Sequence, residues 1–122
     1  MENTSKREEV FRTLRADRRE GVLLVKEEYD ALSSFILSTI EKAEGLSLHD
    51  LLEKAHQEIG SRLEGDLAWK ILQVKMDLEA RGFLEIVTPT RKRHAFTIKL
   101  TRQGLSKIRY ENQVAEWAVN DL

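Results

Sequence analysis

His49, Glu53 and His56 stand at i, i+4 and i+7 along the chain, a spacing that sets two imidazoles and a carboxylate on one face of a helix. Such a face could hold a metal ion. Asp50, Lys54 and Gln57 surround these residues, and neither a fourth ligand nor an orienting partner for the rings is evident. A solvated charged face is the plainer reading. His94 follows Arg93 and has no base-like partner near it in the sequence. No G-x-S-x-G elbow, phosphate-cradling glycine loop, H-E-x-x-H pair or dinucleotide fingerprint is present. The carboxylates are spread along polar stretches, with no apolar setting to raise a pKa for acid–base work. The chain has no Cys, which removes thiol nucleophiles, disulfides and cysteine zinc sites. Neither catalysis, nor a metal, nor a cofactor is expected.

Charge is the next candidate for chemistry. The 20 Lys and Arg face 21 Asp and Glu, a net charge of -1, whereas a nucleic-acid-binding domain is usually basic as a whole. Phosphate contact would therefore need local concentrations, and two exist. In residues 6–19, Lys6, Arg7, Arg12, Arg15, Arg18 and Arg19 outnumber Glu8, Glu9 and Asp17, a net +3. This arm can reach toward phosphate, or it can be a solvated helix face with pairs such as Glu8–Arg12. The second concentration is Arg91, Lys92 and Arg93.

The elements that would carry these groups follow from periodicity. Val10, Phe11 and Leu14 suggest a short helix over Lys6–Arg19 that Gly21 ends, with Val22–Val25 as a brief extended segment. Lys26–Ala43 reads as a long amphipathic helix, with Tyr29, Leu32, Phe35, Ile36, Ile40 and Ala43 on its apolar face. Ser47 is placed to cap a third helix, LHDLLEKAHQEI, with Asp50 three residues on. In Glu64–Gly82, Leu67, Ile71, Val74 and Leu78 form a core stripe while Lys70, Gln73 and Asp77 fall on the other side. Asp66 opens that helix and Gly82 suits a left-handed C-cap. FLEIVTP and AFTIKL alternate with period two around the polar loop Thr90–His94, the pattern of a β-hairpin. Thr101 then caps a last helix carrying Leu105, Ile108, Val114, Trp117 and Ala118.

Helix, turn, helix, hairpin is the outline of a winged helix-turn-helix: an α+β, mostly helical chain with a three-helix core and a two-stranded wing, here with extra N- and C-terminal helices. At 122 residues it fits one domain, divided as an arm (1–25), a winged-helix core (26–108) and a C-terminal extension (109–122). No membrane-length apolar run and no signal-peptide core is present, so a cytoplasmic location is expected.

The runs WKILQVKMDLEARGFLEIV and HAFTIKLTRQGLSKI carry Leu78-Glu79-Ala80-Arg81-Gly82 and Leu100-Thr101-Arg102-Gln103-Gly104. In these motifs the chain resembles bacterial winged-helix regulators of the PadR and MarR kinds, and a related group of small single-domain proteins of unassigned role. The resemblance covers roughly residues 29–108. It implies a DNA-binding transcriptional regulator whose second helix of the pair lies in the major groove while the wing meets phosphate. Matched by position, the groove-facing residues are Asp66, Trp69, Lys70 and Gln73, and the wing residues are Arg91, Lys92 and Arg93. Gln73 could pair with adenine and Lys70 with guanine or phosphate. Such regulators dimerise through terminal helices, which implies a homodimer formed by Val10, Phe11, Leu14, Val114 and Trp117. Glu64 and Asp66 depart from the pattern, since carboxylates there repel a duplex. A second expectation, of another class, is a winged helix that recognises a protein partner through Trp69 and Met76 without binding DNA. A solvent-exposed, basic face on the second helix of the pair would favour DNA binding, whereas an apolar patch there, or a face covered by the arm, would favour the protein partner.

Overall fold

The computed structural model describes residues 9–63, 65–88 and 96–120, with side chains described up to residue 114 in the last of these. Among them are four helices and two antiparallel hairpins, in the order β1 (Val10–Leu14), β2 (Glu20–Val25), α1 (Lys26–Ala43), α2 (Leu48–Ile59), α3 (Leu67–Ala80), β3 (Leu84–Val87), β4 (Thr97–Leu100) and α4 (Arg102–Asn120). β1 pairs with β2, and β3 with β4.

The helices lie where the apolar periodicity sets them. Leu32, Ile36, Leu37 and Ile40 of α1 are fully buried against Leu51 and Ala55 of α2, Ile71, Val74 and Leu78 of α3, and Ile98 of β4. Fully burying one such aliphatic side chain stabilises the fold by roughly 1.5–3 kcal/mol. Ser47 caps α2 by accepting the Asp50 amide at 3.1 Å. Asp66 caps α3 by accepting the Trp69 amide at 3.1 Å. Gly82, at φ 84°, makes the left-handed exit from α3 that a side chain would resist. In the link before α2, Leu46 exchanges two backbone hydrogen bonds with Ile98 of β4, at 3.0 and 2.7 Å. That bridge ties the second hairpin to the helical core.

The N-terminal arm is not a helix. Val10–Leu14 and Glu20–Val25 form a hairpin, in the register Val10↔Val25, Phe11↔Leu24, Arg12↔Leu23 and Leu14↔Glu20. The apolar residues of this short segment fit helical spacing, but a strand gives them a better use. Phe11 packs against the core and Thr13 is buried, while Val10 on the opposite face of the strand is exposed. Between Arg12↔Leu23 and Leu14↔Glu20 the second strand carries one extra residue, a β-bulge. Gly21 lies at this bulge rather than ending a helix, and Thr13 Oγ1 occupies the space a Cβ would need there. The same hydroxyl accepts the Val22 amide at 2.9 Å.

β2 passes into α1 without a linker. Val25 is the N-cap and contributes no side-chain hydrogen bond. The Lys26 amide instead donates to the carbonyl of Glu9, just before β1, at 2.8 Å. The first hairpin thereby supplies a cap that the helix lacks in its own sequence.

Candidate functional site

The first hairpin lies on α3, and the junction is built around Asp77. In the last turn of the helix its polar side chain fits an exposed face by sequence, yet it is fully buried. The Leu14 amide of β1 donates to Oδ1 at 2.8 Å. The Tyr29 hydroxyl, from α1, donates to Oδ2. Arg81 Nε, one turn further along α3, donates to both oxygens at 3.0 Å. A buried carboxylate left without such partners would be costly to the fold. Burial first, and then the hydrogen bond to Asp77, push the Tyr29 phenol well above its usual range. Tyr29 stacks on Phe11 with centroids 4.1 Å apart, and the Arg81 guanidinium lies 5.0 Å from the Phe11 centroid. Asp77 thus joins three elements, and the aromatic pair seals the joint.

This junction changes what α3 can present. Between Leu67 and Ala80 only Trp69 is classed as exposed, at 42%. Lys70 is bound to Glu28 of α1 at 2.7 Å, with both side chains mostly covered. Gln73 and Met76 are half-buried, and Lys75 pairs with Glu79 of its own helix. Of the residues matched to groove reading, Trp69 and the capping Asp66 are thus the open ones. Arg91, Lys92 and Arg93 lie outside the described residues. Phe11 and Leu14, expected at a dimer interface, are half-buried against their own chain, whereas Val10 and Val114 are exposed. The side chain of Trp117 lies outside the described residues.

The histidine face resolves differently from its spacing. His49 Nε2 lies 3.4 Å from Glu53 Oε2, and Asp50 joins them in an exposed cluster. His56 turns away, with Nδ1 2.9 Å from the carbonyl of Leu52. No helix among the described residues is long and apolar enough to cross a membrane.

A cleft opens beside the Asp77 junction, with a volume of about 710 Å3. Phe11, Tyr29 and Phe83 are among its walls, and Arg18, Arg81 and Lys107 bring three cations to it. Sequence patterning does not bring these residues together, because it takes the unexpected hairpin to carry Phe11 and Arg18 toward α3. The alternation of Phe11 and Thr13 with Val10 and Arg12 was the available signal.

Compared with known families, the chain matches the model of a family of unknown function, DUF6958, over residues 11–95. The matched region takes in nearly all of the first hairpin together with α1, α2, α3 and β3, and ends before β4 and α4. No curated protein and no solved structure matches.

Proposed function

The chain belongs to DUF6958, a family of unknown function, and we propose that it is a winged helix-turn-helix turned to protein recognition rather than to reading DNA. The winged-helix reading draws support from the order α1, α2, α3, β3, β4 and from the Leu46–Ile98 bridge that ties the second hairpin to the link before α2. The observation that carries the protein-recognition reading is the covered α3. A helix that enters the major groove needs open donors and acceptors along one face. Here the first hairpin lies against that helix through Asp77, Glu28 neutralises Lys70, and the capping Asp66 sets a carboxylate at the helix start. Each feature disfavours a polyanion. What the surface offers instead is an indole at Trp69 and aromatic side chains beside cations, the residue types that favour protein contacts.

Self-association through α4 is part of the proposal. The helix continues to Asn120, while Ile108 is its last buried side chain among the described residues. Tyr110 and Val114, one turn apart, are exposed beyond it. A second copy of the same helix would cover this exposed pair.

The test is fluorescence anisotropy with random-sequence duplex DNA across a salt series, with light scattering to record the oligomeric state. Negligible binding at low salt is expected. Tight binding with a steep salt slope, reduced by about two to three units per protomer in Arg91→Ala/Lys92→Ala/Arg93→Ala, would overturn the reading in favour of a DNA-binding regulator.

A further inference from the structure

The cleft beside Asp77 has a composition that selects its occupant. Its aromatic walls, Phe11, Tyr29 and Phe83, sit among three cations, and Asp30 is the one carboxylate among the described residues that line it. Most of this charge is already balanced. Arg81 holds Asp77 through Nε, Lys107 holds Glu111 at 2.8 Å, and Asp30 holds Lys26 at 2.7 Å. Arg18 makes no ion pair among the described residues. Among the described residues the cleft therefore offers one positive charge without an ion-pair partner, next to aromatic walls.

The backbone at Arg18 is an independent sign. The hairpin turn is closed by the Arg18 amide on the Arg15 carbonyl at 2.8 Å, and by the Arg15 amide on the Arg19 carbonyl at 2.7 Å. In this kind of turn the residue after the tight bend adopts the left-handed region, where glycine is the usual choice. Arg18 occupies it with φ 70°. A bulky side chain pays a conformational cost there that glycine would not, and such outliers concentrate at ligand clamps. The turn holds a cation over the cleft where a better-suited residue for the turn would bring none.

We propose that this cleft docks a peptide segment in which an apolar side chain stands next to a carboxylate, the apolar group lying against the half-buried Phe11 and Phe83 and the carboxylate meeting Arg18. The cleft is open to solvent along the hairpin, which suits an extended chain better than a small molecule, since small ligands are mostly enclosed by their sites. A single spare cation among balanced pairs suits one acid rather than a phosphate chain. The inference rests on the protein-recognition reading and names the partner's chemistry.

The probe is a fluorescein-labelled peptide pool with Phe or Leu beside Asp or Glu in a Gly–Ser background, against a matched pool with Asn and Gln in place of the acids. Anisotropy should show the wild type binding the acidic pool and not the amide pool. Arg18→Gly should weaken binding about tenfold, the size of one charge-assisted hydrogen bond. Its thermal midpoint should stay level or rise, because glycine suits the turn. Arg18→Asn, also at ease in the left-handed region, should behave alike. No binding of the acidic pool, equal binding of the amide pool, or unchanged affinity in both variants overturns the proposal. A protein that fails with these peptides and also ignores DNA would sink the cleft alone, whereas DNA binding would sink the protein-recognition reading itself.

Discussion

Replacing Asp77 by Ala removes the acceptor shared by three donors, and the expected cost follows from what each donor can do afterwards. The Tyr29 hydroxyl is buried and loses its partner, at roughly 1–3 kcal/mol. The Leu14 amide is part-buried, and its loss adds a similar amount or somewhat less. Arg81 is about a third exposed, so its guanidinium turns to water and contributes little. The total is about 3–5 kcal/mol, a large share of the roughly 5–15 kcal/mol that holds a typical domain together. Urea denaturation followed by circular dichroism measures it, and hydrogen exchange at the Leu14 amide reports whether the first hairpin loosens before the helices. A double-mutant cycle gives the sharper readout. Tyr29→Phe in the wild type should cost about 1 kcal/mol, because Asp77 keeps its other two donors. In the Asp77→Ala background the same change should cost nothing or stabilise, since it deletes a hydroxyl that has already lost its partner. An equal cost in both backgrounds, or a loss below about 1 kcal/mol for Asp77→Ala, would refute the account of the junction.

Two further outcomes follow from the packing and the titratable groups. At Gly104 a Cβ would meet the backbone carbonyl of Phe83, which cannot move aside as a flexible side chain would. Gly104→Ala should therefore lower stability by about 1–3 kcal/mol in thermal melts, despite a helix-propensity gain of about 1 kcal/mol. In alkali, Tyr29 stays neutral in the folded chain while an unfolded tyrosine ionises near about pH 10. Its contribution to stability is complete below that pH and is lost as pH rises above it. The Lys26 pKa, raised chiefly by its hydrogen bond to Asp30, acts with the same sign. Melting temperatures should fall steadily above about pH 10, and in a Tyr110→Phe background the tyrosinate absorbance of Tyr29 should appear together with unfolding rather than ahead of it.

Long periodic stretches announced themselves in the sequence. Tyr29, Leu32, Ile36 and Ile40 marked α1, Ser47 and Asp66 marked two helix starts, and the alternation through Leu84–Val87 and Thr97–Leu100 marked the second hairpin. The first hairpin did not, because Val10, Phe11 and Leu14 satisfy a helical stripe over so short a span, and the charged tip Arg15–Arg19 looks like a helix surface. Asp77 was hidden for a connected reason. With Arg81 it has the spacing of an ordinary surface pair on a helix, and only the covering strand turns that pair inward. Missing the hairpin therefore meant missing the buried carboxylate and the cleft beside it. The constraint at Gly104 is a carbonyl from a residue twenty-one positions earlier, which no local rule reveals.

The hydrogen bond from the Lys26 amide to the Glu9 carbonyl makes the start of α1 a property of two segments rather than one. A chain trimmed to begin at Phe11, where the family match begins, would keep every residue of α1 yet lose the acceptor for its first turn. Because Val25 has no side-chain cap to substitute, such a trimmed domain should fray at α1 and at the first hairpin together. Hydrogen exchange would then show the Lys26 amide and the β1–β2 amides opening as a single unit. A domain that keeps this cap therefore includes Glu9, upstream of the point where the family match begins.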